Sequence, residues 1–204
     1  MREHLAIFFF AIASLSQSAF ADYVQIVARA KPAVVEIEVQ TEKGVGTGTG
    51  FFVLPDGYLM TNEHVIRGAR RNSDVTVTGN DGTNYAVQGL AYVDKDADIA
   101  ILRCDCNHVA YLEPDYNDDV MEGQIVLVIG NPEGLTGTVS NGLVAAIRKD
   151  LGLIQITAPI SHGSSGSPVL NEKGLVIGIV VGLYEDGQNI NFCVPADKIW
   201  QGIL

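Results

Sequence analysis

Val75-Thr76-Val77-Thr78, then Asn80-Asp81-Gly82, then Tyr85-Ala86-Val87 alternates apolar and polar side chains on either side of a turn signal. A period of two places one face of an extended chain on a core and the other in water. Asn, Asp and Gly tolerate the backbone of a tight reversal. The stretch therefore predicts a β-hairpin. The same pattern recurs upstream, where Val34 to Val39 alternates partly and the apolar run Gly50 to Leu54 ends at an Asp56-Gly57 turn. Downstream, strands are expected over Ile99 to Leu102, Gln124 to Ile129, Gly142 to Ile147, Leu153 to Thr157, Pro168 to Leu170, Leu175 to Val181 and Asn189 to Val194. Short strands recurring about every ten residues indicate an all-β barrel or sandwich.

Three segments break that rhythm. Asp22 to Lys31 reads as a short helix ended by Pro32, and Ala196 to Ile203 has the spacing of a terminal helix. Between them, Asn107 to Glu122 is polar and turn-rich, with Pro114, Asn117, Asp118 and Asp119. It is the natural linker between two β units, residues 22–106 and 123–204.

Residues 1–21 read as an export signal. Arg2 precedes an apolar run from Leu5 to Leu15, too short to span a bilayer as a helix, and Ala19-Phe20-Ala21 supplies a small-x-small cleavage pattern. The alternative is an uncleaved N-terminal anchor. Either way the domain is expected outside the cytoplasm, periplasmic or secreted, and no later apolar run is long enough for a second membrane span.

The net charge of −11 excludes nucleic acid as a natural partner, because a polyanion is bound through clustered cations. Cys104, Cys106 and Cys193 are odd in number, so at least one stays unpaired within the monomer. With no nearby histidine pair they make a poor zinc set. Cys193 reads as a buried thiol in an apolar strand, and none of the three sits in a turn that would present a nucleophile.

The chemistry is concentrated in Gly163-Ser164-Ser165-Gly166-Ser167-Pro168, a glycine-flanked serine between two strands. A serine hydroxyl attacks only when a base takes its proton, and the oxyanion it creates needs fixed donors. Glycines at 163 and 166 allow a sharp turn, so the amides of Gly163 and Ser165 are the candidate oxyanion hole. The candidate base is His64 in Thr61-Asn62-Glu63-His64-Val65. His108 falls in the linker, and His162 would have to fold back on its own turn to reach Ser165. Of Asp94, Asp96 and Asp98, only Asp98 abuts the strand Ile99 to Leu102, where a carboxylate can be held dry enough to orient an imidazole. The order His64, Asp98, Ser165 is that of chymotrypsin-type enzymes.

These residues sit in a longer set of motifs through which the chain resembles the protease domain of the HtrA/Deg family of trypsin-like peptidases. The set runs in order through Gly46-Thr47-Gly48-Thr49-Gly50-Phe51, Thr61 to Val65, Asp98 to Leu102, Ile129-Gly130-Asn131-Pro132, Gly163 to Pro168, Val176 to Ile179 and Phe192-Cys193-Val194-Pro195. The resemblance implies a chymotrypsin-like double antiparallel β-barrel with a short C-terminal helix and the active site between the barrels. It also implies a polypeptide substrate and a serine endopeptidase acting through an acyl-enzyme with no metal or organic cofactor. Ser167 departs from the usual second glycine of the serine motif, and Ser164 stands where Asn is common. The sequence ends at Leu204, where many relatives continue into PDZ modules, and only a short stretch joins Arg148 to Ile154, where the family often carries a regulatory loop. Monomer and trimer both stay open.

In this fold, the pocket for the side chain preceding the cleaved bond is built from the segment before the serine loop and from the strand after Gly178. That places Pro159 and Ile160 on one wall and Val181, Gly182 and Leu183 on the other. With no acid at its base, such a pocket would desolvate a cation without a partner, so small or medium apolar residues are expected there. The rival readings are a non-catalytic polypeptide-binding module of chaperone type and an esterase on the same scaffold.

Overall fold

The computed structural model describes residues 23–116, 120–183 and 189–200. The segment read as an export signal lies outside them. Helix α1, residues 23–30, gives way to a 3-10 turn at Lys31–Ala33 that contains Pro32. Proline fits that position because the first turn of a helix needs no N–H from it. The helix buries Ile26 and Ala30.

Seven antiparallel strands follow: β1 Val34–Thr41, β2 Gly44–Leu54, β3 Tyr58–Thr61, β4 Val75–Gly79, β5 Asn84–Tyr85, β6 Val87–Asp94 and β7 Ile99–Cys104. They form one sheet in the order β5-β4-β1-β2-β3-β7-β6. The expected hairpin is present as β4 and β5, but its second arm is only two residues long. The chain then leaves β4, and β6 pairs with β7 instead. Backbone hydrogen bonds do not close this sheet, so its barrel-like wrap leaves β5 and β6 as edges. The second unit is a closed barrel of β8 Ile125–Gly130, β9 Thr138–Arg148, β10 Leu153–Ile156, β11 Pro168–Leu170, β12 Val176–Leu183 and β13 Asn191–Pro195, in the order β10-β13-β12-β11-β8-β9. Helix α3, Ala196–Trp200, comes last among the described residues, and the rest of the expected terminal helix lies outside them.

Each unit has its own core. Ile37, Phe52, Leu59 and Leu102 are buried in the first, and Val128, Ile156, Val169 and Ile177 in the second. A third cluster joins them, in which Phe51, Met60 and Ile101 meet Leu127, Leu170 and Ile179, with Ile26 of α1 alongside. This apolar seam fixes the two units side by side, so a cleft between them keeps its shape. No helix among the described residues is long and apolar enough to cross a membrane.

Candidate active site

The strand β3 leads into a single helical turn, α2 (Glu63–Ile66), which carries His64. Burial of Glu63 and Val65 on the inner side of this turn leaves the imidazole at the cleft. Gly48 makes the approach possible, since a Cβ there would lie 2.6 Å from Cγ1 of Val65. His64 Nδ1 is 2.6 Å from Oδ2 of Asp98, and the His64 amide donates to Oδ1 of the same carboxylate at 2.9 Å. The Asn62 side-chain amide donates to the Asp98 carbonyl at 2.9 Å. Asp98 itself has φ of 54°, a left-handed conformation at the mouth of β7. The carboxylate is thus held at both oxygens in a backbone pose that few residues adopt. The pair is only partly exposed, at 36% and 27% of the side-chain surface. Asp94 instead caps the preceding turn, accepting from the amides of Asp96 and Ala97 at 2.9 Å each, and Asp96 is exposed.

The serine loop is clamped from the first sheet. Thr49 on β2 donates its hydroxyl to the Gly163 carbonyl at 2.8 Å and its amide to the Ser165 carbonyl at 2.8 Å. The same hydroxyl accepts from the Asn131 amide at 3.0 Å. Gly166, with φ of 87°, passes so close to this strand that a Cβ would lie 1.9 Å from the Thr49 carbonyl. On the other side, the Gly166 amide donates to Val180 and the Val180 amide to Ser167, at 2.9 Å each. The loop is therefore laced to both units.

One contact sets the orientation of the Gly163 amide, one of the two candidate oxyanion donors. The His162 carbonyl accepts from the Glu133 amide at 2.9 Å. In a trans peptide N–H and C=O point in opposite directions, so this bond turns the Gly163 N–H away from the 131–133 turn. Among the described residues, the amides of Ser164, Gly166 and Ser167 donate within the chain, whereas those of Gly163 and Ser165 do not. Two free amides on a fixed loop are what an oxyanion needs.

Gly163 and Ser165 share a cleft of about 470 Å³ with His64, Thr47, Ile160, His162, Val180 and Gly182. His162 is exposed at its rim, and His108 is exposed far along the chain in the linker. The pocket walls need one correction. Val181 is not a lining residue but packs on the apolar seam, and Val180 takes its place. The reason is the ordinary alternation of a strand: Val180 and Gly182 face the cleft, so Val181 between them faces the other way, with Ile179, onto the seam. Pro159 borders a separate cavity behind the loop, which Ile160 also lines, and the Leu183 side chain lies outside the described positions. Among the described residues, no lining residue of the cleft is acidic.

Sequence reasoning missed Thr49, Asn131 and Glu133 as supports of the loop. A threonine in a glycine-rich strand was the available signal, but only tertiary contact gives it two partners. Ser167 fits in place of glycine because Gly130 leaves room: a Cβ at Gly130 would come within 2.2 Å of its hydroxyl. All three cysteines are free. Burial pushes the Cys104 and Cys193 thiols up to about 12, and raises that of Cys106 as well.

Comparison with known proteins places this geometry in context. Residues 48–179 match the family model of the trypsin-like peptidase domain. The chain is 35% identical over 160 residues to the putative serine protease HhoB of Synechocystis, covering 74% of this chain and 38% of that protein. It is 36% identical over 159 residues to a probable periplasmic serine endoprotease, DegP-like, of Rhizobium meliloti, covering 73% of this chain and 31% of the relative. The crystal structure of the serine endoprotease from Yersinia pestis superposes with a TM-score of 0.80 at 30% identity, over 88% of this chain and 64% of that one. The chain thus spans less than two fifths of the length of these two curated relatives.

Proposed function

Because the chain belongs to the trypsin-like peptidase family, we propose that it is a serine endopeptidase of HtrA type that cleaves unfolded polypeptides outside the cytoplasm, with Ser165 as nucleophile. The observation that carries this reading is the 2.6 Å contact of His64 Nδ1 with Asp98 Oδ2, beside a cleft that His64 and Ser165 share. With Nδ1–H committed to Asp98, Nε2 is left as the basic nitrogen.

Ser165 Oγ attacks the carbonyl carbon of the scissile bond while its proton passes to Nε2 of His64. The carbonyl π electrons move to oxygen, and the amides of Gly163 and Ser165 stabilise that negative charge. Collapse of the tetrahedral adduct breaks the C–N bond, and His64 gives its proton to the departing amine. Water then attacks the acyl-enzyme, losing a proton to His64, and Ser165 regains it as the acid leaves. Asp98 stays ionised throughout and balances the imidazolium. Apart from the substrate and the hydrolytic water, residues of the chain supply every group in this sequence.

Ile160, Val180 and Gly182 support an apolar preference before the cleaved bond, since no acid among the described residues lines that part of the cleft. A location in the periplasm is supported by the expected signal and by the description of the Rhizobium relative. The test is cleavage of reduced, unfolded casein by wild type, Ser165→Ala and His64→Ala proteins. Wild type should degrade casein and both variants should not. Equal cleavage by Ser165→Ala, or binding without cleavage by wild type, would remove the proposal in favour of another nucleophile or a binding module.

A further inference from the structure

A second cavity, of about 510 Å³, opens on the first sheet away from the cleft, between the chain that follows α2 and the edge strand β6. Its floor is apolar, with Ile66, Val75, Val87 and Leu102, and Gly89 leaves part of it open, since a Cβ there would meet nothing within 4 Å. Its rim holds Arg67, Arg70, Arg71 and Lys95. Four of the chain's 13 basic residues are therefore gathered at one opening of a protein whose net charge is −11. Such a concentration runs against the composition, and the triad does not use it.

Two of these cations make ion pairs that leave the guanidinium itself exposed. Arg70 pairs with Glu42 at 2.7 Å and Arg71 with Asp74 at 3.5 Å, with both arginines more than two-thirds exposed. The exposed Arg70–Glu42 pair contributes roughly 0–1 kcal/mol, so an arriving carboxylate can exchange for Glu42, and the long Arg71 contact leaves that guanidinium open to a second anion beside Asp74. Arg67 is committed to Glu63. At physiological salt, charges beyond about 8 Å are largely screened, so this local positive rim and not the overall charge decides what the cavity attracts.

The backbone of β6 adds directionality. Among the described residues its outer edge has no sheet partner; Asn72 caps it at one point, donating to the Gln88 carbonyl, and from Leu90 to Asp94 it stays open. Leu90 and Val93 are 52% and 39% exposed on this same strand. An open edge with exposed apolar side chains is a template for one more strand, and natural sheets usually cover or charge such edges. Here the four cations of the rim outnumber Glu63 among the lining residues and Asp94 at the strand's end, which favours an acidic strand over a basic one.

We propose that this cavity docks an extended acidic polypeptide segment, about five residues long, whose alternate apolar side chains meet Leu90 and Val93 while its carboxylates face Arg70, Arg71 and Lys95. The docking itself does not rest on the hydrolytic reading. Glu63 and Ile66 line the cavity and flank His64 on α2, so an occupant lies one helical turn from the cleft.

The test is fluorescence anisotropy of a labelled heptapeptide alternating Glu and Leu, titrated with the Ser165→Ala protein. Binding is expected, weakening as salt is raised, and at least about tenfold weaker in Arg70→Gln/Arg71→Gln, whose changed side chains are exposed and leave folding intact. Leu90→Ser should weaken it as well, and Arg148→Gln/Lys149→Gln on the second barrel should not. Undiminished binding to the Arg70→Gln/Arg71→Gln protein would overturn the proposal. So would equal binding of a Lys-Leu peptide or of a single-stranded oligonucleotide of matching charge.

Discussion

The Thr49 hydroxyl donates to the carbonyl of Gly163 at 2.8 Å while it accepts from the amide of Asn131 at 3.0 Å. One buried side chain of the first sheet therefore fixes two loops of the second barrel, and the candidate oxyanion donors ride on one of them. Thr49→Val keeps the shape but removes both bonds and strands a buried donor at about 1–3 kcal/mol, with a smaller loss at the part-buried Gly163 carbonyl. The expected result is a clear fall in Tm and a larger fall in kcat than in 1/KM, with Thr49→Ser restoring most of both. Steady-state kinetics beside thermal melts check this, and a loss confined to KM would contradict the positioning role.

Asp98 is left-handed, at φ of 54°, a region that Asn also tolerates. Asp98→Asn should therefore fold normally. Its side-chain amide would donate to Nδ1 of His64, forcing the proton onto Nε2, where it blocks uptake of the Ser165 proton. We expect a kcat loss of about four orders of magnitude with little change in Tm. Activity within tenfold of wild type would remove Asp98 from the mechanism.

Much of this was legible along the chain, and the failures share one cause. Ile99 to Leu102 reads as a strand because four consecutive apolar residues are buried whatever surrounds them. Asp98 stands at its edge and so was legible with it. The apolar run read from the residues begins only at Gly50, yet β2 starts at Gly44, because β1 offers a partner all the way from Val34 opposite Phe51 to Thr41 opposite Gly44. Residues 88–94 were not assigned to any strand, because β6 is chosen by pairing with β7 and its mixed burial carries no clean alternation. Pairing choices are properties of two strands at once, and one strand's sequence does not contain them.

Gly182 lines the cleft, and a Cβ there would meet nothing within 4 Å, so a side chain at this position protrudes into free space. Gly182→Val should narrow the pocket without disturbing the barrel. For peptides cut after Leu, kcat/KM should fall at least about tenfold, a size set by one or two displaced methylenes. Peptides cut after Ala should change little. Product profiling by mass spectrometry checks the shift, and an unchanged Leu-to-Ala ratio would place the pocket elsewhere.

Burial raises the thiols of Cys104 and Cys193 from about 9.0 to about 12. In the folded state they stay protonated where unfolded thiols ionise, so this contribution is whole below about pH 9 and is lost as pH rises toward 12. Denaturant stability should decline across that window, and Cys193→Ala should make the decline shallower. Iodoacetamide at pH 8 should modify the half-buried Cys106 first, with Cys104 and Cys193 reacting only on unfolding. Rapid alkylation of Cys193 in the native protein would contradict its burial.

The most direct measurement of the central claim is labelling by a fluorophosphonate followed by peptide mapping. Only a serine activated by a base and served by oxyanion donors reacts quickly with this electrophile. The account predicts one adduct, on Ser165, formed by wild type and lost in Ser165→Ala, His64→Ala and Asp98→Asn. An adduct on Ser161, Ser164 or Ser167 instead, or labelling of Ser165 that survives His64→Ala undiminished, would contradict it.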